Sequence, residues 1–256
     1  MDNSLLNDDG YKKQIIAFGI AFLLIILLIV VLIVNHRKED YIIINKSLIL
    51  TKSGSKYKQI NKLDDSVLDF EYNVYSKGNV YKDVSIKIKD NVWYFFDKDY
   101  NDLNLNLVPA AYTKKFEKIK VADYKTTYYD EDDDSYLSKI AKGKLVNNFK
   151  DSLMKTSYDL DGDGITETIY TINNYGLTSS SRDSYSSVFL VKGDTLIGEL
   201  SSDHRYPYIV QSVIDLDGNG KYEVIVSKGT IDMATFDTCY QIYSIKGKKI
   251  KLIKDC

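Results

Sequence analysis

Two stretches of the chain have the residue types and spacing to do chemistry. They are Asp159-Leu160-Asp161-Gly162-Asp163-Gly164-Ile165-Thr166-Glu167 and Asp215-Leu216-Asp217-Gly218-Asn219-Gly220-Lys221-Tyr222-Glu223, the second starting 56 residues after the first (215 − 159). Calcium takes about six to eight oxygen ligands at about 2.3–2.6 Å. Alternate carboxylates on a tight loop converge on one ion only where glycine lets the backbone curl. The spacing therefore assigns side-chain ligands to Asp159, Asp161, Asp163 and Glu167 in the first loop and to Asp215, Asp217, Asn219 and Glu223 in the second. The backbone carbonyls of Ile165 and Lys221 complete the two shells. The expected cofactor is calcium at two structural sites, with the second binding more weakly because Asn219 replaces a carboxylate.

An EF-hand shares the early positions of this pattern but needs a bidentate Glu at its twelfth position and a helix after the loop. Here the twelfth positions are Tyr170 and Val226, and the segments that follow, Thr168-Ile169-Tyr170-Thr171-Ile172 and Val224-Ile225-Val226, are β-branched and favour strands. The loops are thus expected to open strands. In this D-x-D-G-[DN]-G-x-x-E core followed by an apolar strand, residues from about 150 to 256 resemble the FG-GAP or VCBS repeats of integrin α propeller type. The resemblance implies a calcium loop between two strands of a blade, with the eight side chains named above as ligands. A closed propeller needs at least about four blades, whereas two loops are visible. A short sandwich-like stack of two blade-like repeats is therefore expected rather than a ring.

Each loop is followed by a second shared feature. Ser187 to Ile197 and Tyr240 to Ile250 both set a glycine-led pair, Gly193-Asp194 and Gly247-Lys248, between alternating strands, as a type II′ hairpin requires. Centring the second turn on Gly247-Lys248 makes Cys239 and Cys256 cross-strand neighbours in a non-hydrogen-bonded pair, close enough for a disulfide. These are the only cysteines, too few for a disulfide scaffold and wrongly spaced for a zinc site.

The elements that position this pair of loops can be read outward from them. Residues 36–129 form a β-rich juxtamembrane region, with strands expected at Tyr41–Ile44, Leu48–Leu50, Val67–Phe70, Val84–Ile88 and Val92–Phe96 between short polar turns. The acidic run at residues 130–134 then opens a linking helix through residue 150, with Leu137, Ile140, Ala141, Leu145 and Phe149 at helical spacing. Residues 151–256 carry the two calcium-loop repeats. With 22 Tyr, 9 Phe and only 2 Pro, the fold class is a mainly β ectodomain of antiparallel hairpins joined to one N-terminal membrane helix.

That helix is expected within residues 14–35, after a short polar tail at residues 1–13. From Ile15 to Val34 every residue is apolar or Gly, and about twenty such residues span the hydrocarbon core of a bilayer. Lys12 and Lys13 resemble the start of a signal peptide, but the apolar run is too long and Asn35-His36-Arg37-Lys38 offers no small-residue cleavage site. Flanking lysines and arginines would by count keep the C-terminal side inside. Large domains are translocated largely regardless of such charge, and calcium loops with a possible disulfide suit the outside.

The net charge of -2 gives no basic field, so nucleic acid is not an expected partner. The expected partners are the lipid bilayer through Ile15–Val34 and an envelope protein or polymer. His36 and His204 stand apart from any nucleophilic motif, leaving little for catalysis to rest on. The functional expectation is a binding or scaffold module at a bacterial cell envelope, bacterial by its Lys-, Asn-, Ile- and Tyr-rich usage. A cell-wall or glycan hydrolase with its site within residues 41–128 is the alternative.

Overall fold

The computed structural model describes residues 17–29, 40–53, 56–60, 65–131, 133, 137, 149–173, 186–201, 206–229 and 239–255. The chain divides into two compact units, residues 1–39 and 40–256. In the first, residues 17–29 form helix α1 with its apolar side chains exposed. Among the described residues no helix is long and apolar enough to cross a membrane. The expected span Ile15–Val34 extends beyond the described residues at both ends, and the tail at 1–13 lies outside them.

The second unit is built from antiparallel strands in three sheets. The first sheet contains β1 (Tyr41–Ile44), β2 (Leu48–Ser53), β3 (Lys56–Ile60), β4 (Glu71–Ser76), β5 (Asn79–Lys89), β6 (Val92–Phe96) and β7 (Ala110–Tyr112), in the order β3-β2-β1-β7-β4-β5-β6. Its turns follow local chemistry. Asp90 and Asn91, at φ of 51° and 62°, link β5 to β6, both in the left-handed region that a type I′ hairpin turn requires. The strand expected at Val67–Phe70 does not form. Residues Asp65–Leu68 instead make a short helix, α2. An apolar run this short fits helix or strand equally by periodicity, and burial of Val67 against the first sheet decides the outcome. The Tyr72 hydroxyl donates to the Val67 carbonyl at 2.5 Å and fixes the helix there.

The two repeats supply the other sheets. β10 (Leu153–Tyr158), β11 (Glu167–Asn173), β12 (Ser186–Lys192) and β13 (Thr195–Ser201) form one four-strand meander. β14 (Tyr208–Asp215), β15 (Glu223–Lys228), β16 (Cys239–Lys246) and β17 (Lys249–Lys254) form the other. Each gains a fifth, edge strand from before residue 130: β9 (Lys125–Tyr128) joins β10 and β8 (Lys120–Val121) joins β14. The boundary expected near residue 130 thus falls inside one compact unit. Most of the helix expected over residues 130–150 lies outside the described residues, although Asp133 and Leu137 are helical and Leu137 is buried.

Side-chain alternation stacks the three sheets in layers, as strand geometry dictates. Ile214, Ile225 and Ile242 of the second repeat point toward Ile42, Ile44, Leu48 and Leu50 of the first sheet. Their neighbours Val213, Val224, Val226 and Tyr243 point the other way, toward Ile169, Val188 and Leu190 of the first repeat. The second repeat is therefore the middle layer, apolar on both faces, which explains its near-continuous Val and Ile runs. The two outer faces are covered in turn. α2 and Val108 pack on the first sheet, and Leu137 packs on Leu153, Ile172 and Phe189 of the first repeat. This is a stack of three antiparallel sheets.

Candidate metal centre

Each acidic loop joins the first two strands of its meander, β10 to β11 and β14 to β15, so both loops emerge at corresponding corners of adjacent layers. The carboxylate of the first Asp organises each loop from within. Asp159 Oδ1 accepts from the amides of Gly162 and Asp163 at 2.9 and 3.2 Å, and its Oδ2 accepts from Gly164 at 2.9 Å. Asp215 repeats this with Gly218, Asn219 and Gly220 at 2.7, 3.0 and 2.8 Å. The side-chain oxygen at the fifth position accepts from the seventh amide, Ile165 N to Asp163 at 2.9 Å and Lys221 N to Asn219 at 2.8 Å. The terminal glutamate closes the ring. Glu167 Oε2 accepts from Leu160 N at 2.7 Å, and Glu223 Oε2 from Leu216 N at 2.9 Å.

Glycine is required by the backbone at these bends. φ is +75° and +85° at Gly162 and Gly164, and +72° and +83° at Gly218 and Gly220, the region open to glycine without a Cβ penalty. Glu167 and Glu223 are the first residues of β11 and β15, so the loops open strands as the sequence led us to expect.

The loops also touch one another. Tyr222 N donates to the Leu160 carbonyl at 2.7 Å, and the Tyr158 and Tyr222 rings meet edge to face at 4.7 Å between centroids. On its far side the second loop meets the first layer, where the Tyr57 hydroxyl donates to the Leu216 carbonyl at 3.3 Å and Lys118 lies against Gly218. A solvent-open cleft of about 500 Å³, lined by Lys52, Phe116, Lys118 and Asp217 among others, adjoins it.

The two loops differ in their cations. Opposite Glu167 in the β11–β12 pairing stands Lys192. Its ammonium lies 2.9 Å from Asp161 Oδ1, 2.7 Å from Asp163 Oδ2 and 2.5 Å from Glu167 Oε1. Glu167 is fully buried, and its Oε1 accepts no well-angled hydrogen bond, so the ammonium supplies its balancing charge. Burial opposes the charge on Lys192, but the adjoining carboxylates of Asp163, Glu167 and Asp161 outweigh it and raise its pKa above the ordinary lysine value. The same ammonium, together with the Ile165 amide, holds Asp163 below the usual carboxylate range. With this cation in place, ligand oxygens of Asp159, Asp161 and Glu167 lie within 4.8 Å of one another.

Opposite Glu223 in the β15–β16 pairing stands Ser244. No ion pair among the described residues involves Asp215, Asp217 or Glu223. Asp215 is fully buried, Glu223 is 6% exposed and Asp217 faces solvent. Burial, joined by the charges of Asp217 and Asp215, pushes the Glu223 carboxyl up to about 7. Among the described residues these three do not form a convergent group like that of the first loop.

An all-oxygen set of this kind suits a hard divalent cation. The residues fit: Asp215 Oδ2 retains a lone pair after accepting the Gly220 amide, and Glu223 has one oxygen not engaged by Leu216. The expected carbonyls of Ile165 and Lys221 belong to residues exposed or half-exposed at the loop ends.

Lys192 was not singled out from the sequence, because only the pairing of β11 with β12 places it beside Glu167. Asp97 is a second residue that sequence reasoning passed over. Its Oδ1 accepts from Asp99 N and Asn101 N at 2.9 Å each, building an exposed loop of similar style without glycine.

Gly193 and Gly247 take φ of +52° and +56°, with Lys192 opposite Thr195 and Lys246 opposite Lys249, as expected. A bulge between Ile242 and Tyr243 sets Ile242 opposite Lys254. Cys239 is disulfide-bonded. The chain's other cysteine, Cys256, lies outside the described residues, as do His36 and His204.

Comparisons with protein families, with curated proteins and with solved structures return no match.

Proposed function

We propose that this protein is a membrane-anchored, extracytoplasmic calcium-binding module that serves as a binding or scaffold domain at the cell envelope. The observation that carries the reading is the second acidic loop, where buried Asp215 and Glu223 stand together with no ion-paired cation among the described residues. Buried charge of one sign is costly unless it is compensated. A divalent ion from solution supplies that compensation and links β14, β15 and the first layer through one loop. Its role in this reading is structural, because the carboxylates that would hold it sit on and beside the one loop that joins β14 to β15. The apolar run Ile15–Val34 supports the anchor, and the disulfide at Cys239 suits an oxidising compartment. The partner fitting this reading is an envelope protein or polymer that recognises the surface ordered by the loops.

The test is thermal unfolding of the full chain in detergent micelles, with calcium and with chelator. An ion that binds only the folded state at about a hundred times its Kd adds about 2.7 kcal/mol, so Tm should rise by several degrees with calcium. No shift at millimolar calcium, together with no calcium uptake in equilibrium dialysis, refutes the proposal.

A further inference from the structure

The two loops share their backbone bends and the amide bonds to the first Asp, the fifth residue and the final Glu, yet they differ in one cross-strand partner. Where Glu167 faces Lys192, Glu223 faces Ser244. We infer that the Lys192 ammonium acts as a built-in cation that closes the first loop without metal, leaving the second loop as the only one that takes calcium. The inference rests on the calcium reading above and deepens it by fixing the stoichiometry.

The geometry argues for this through the effect of the ammonium on its neighbours. Its Nζ touches three of the four carboxylates that the ligand pattern assigns to an ion, including both oxygens of Asp161 at 2.9 and 3.0 Å. The Asp161 side chain is thereby drawn in to 7% exposure. Its counterpart Asp217 accepts from Asn219 N at 3.2 Å and faces solvent. Charge agrees: four carboxylates less one ammonium leave three net negative charges in the first loop, equal to the three carboxylates of the second. The charge advantage that the sequence gives the first loop is cancelled.

A second contact keeps the ammonium-filled loop closed. Asp161 Oδ2 also accepts from Gly247 N at 3.1 Å, in the hairpin turn of the neighbouring layer. For a divalent ion to enter, Lys192 would have to leave a largely buried position, 13% exposed, and shed three ion pairs. Charge-assisted contacts of this kind are the strong ones.

Calcium counted by equilibrium dialysis on the full chain in detergent tests the assignment with two reciprocal variants. The wild type should bind one equivalent. Lys192→Met should bind two, and its Tm should rise more with calcium than that of the wild type, because metal now replaces the missing charge beside Glu167. Ser244→Lys, which places an ammonium opposite Glu223 as Lys192 stands opposite Glu167, should bind none. Two equivalents in the wild type, or one in folded Lys192→Met, overturn the inference while leaving the calcium reading intact. If Lys192→Met does not fold, Ser244→Lys decides, and an equivalent retained there overturns it. No binding by any of the three proteins refutes the calcium reading itself.

Discussion

Raising the pH of the calcium-free protein from about pH 5 to about pH 8 should cost stability at one residue, Glu223. Burial and the Asp217 and Asp215 charges lift its carboxyl to about 7, against an ordinary value of 4.5. The difference, 7 − 4.5 = 2.5, at ~1.4 kcal/mol per pH unit corresponds to about 3.5 kcal/mol, of which about 3 kcal/mol falls within the window. The sign follows from proton counting. Between these two values the folded state holds the proton and the unfolded chain has lost it, so stability falls as pH rises and the loss is complete above the folded value. Calcium reverses the trend, because it binds the ionised carboxylate and expels the proton. Urea unfolding in chelator at several pH values, for wild type and Glu223→Gln, isolates the effect, since glutamine is neutral throughout and can still accept from Leu216 N. The stability difference, wild type minus variant, should fall by about 3 kcal/mol across the window, and with saturating calcium the fall should vanish. A difference independent of pH in chelator would show that Glu223 is already compensated, and the case for a cation at the second loop would go with it.

Two further expectations concern stability. Gly218→Ala should destabilise by about 3 kcal/mol, combining the left-handed backbone penalty with overpacking, because a Cβ there meets Lys118 Cβ at 2.3 Å. Gly164→Ala, with the same sign of φ but open space around it, should lose only about 1–2 kcal/mol, and denaturant midpoints compare the two. Cys239→Ser should lower stability by about 3 kcal/mol under non-reducing conditions. Adding a reductant should bring the wild type down to the variant and leave the variant unchanged.

The loops were legible in the sequence because their determinants are local: glycines at the bends, carboxylates at alternate positions and a β-branched run immediately after. For the same reason β1, β5, β6, β11 and β15 fall where the pattern of Ile, Val and aromatic residues put them. Val67–Phe70 misled because a four-residue run with three apolar positions carries no period, and what decided its form was the sheet it packs against. The bulge between Ile242 and Tyr243 was not legible either, because nothing in the alternation of β16 announces it. Lys192 was hidden for a different reason. The loops repeat at 56 residues, but Lys192 and Ser244, the residues facing the two glutamates, are 52 apart (244 − 192). Aligning the repeats on their loops therefore does not align the two positions on which charge balance turns.

The layer that is apolar on both faces is built almost wholly from residues after Tyr208, later in chain order than the strands of either neighbour. A chain emerging from the ribosome or a translocation channel therefore presents two greasy outer slabs with nothing yet to insert between them. Productive assembly must wait for the last sheet to slot in, and until then the nascent protein depends on whatever in its surroundings shields exposed hydrocarbon. Damage to that last sheet would unmask both slabs at once, so aggregation should follow defects in the second repeat more readily than equal defects elsewhere.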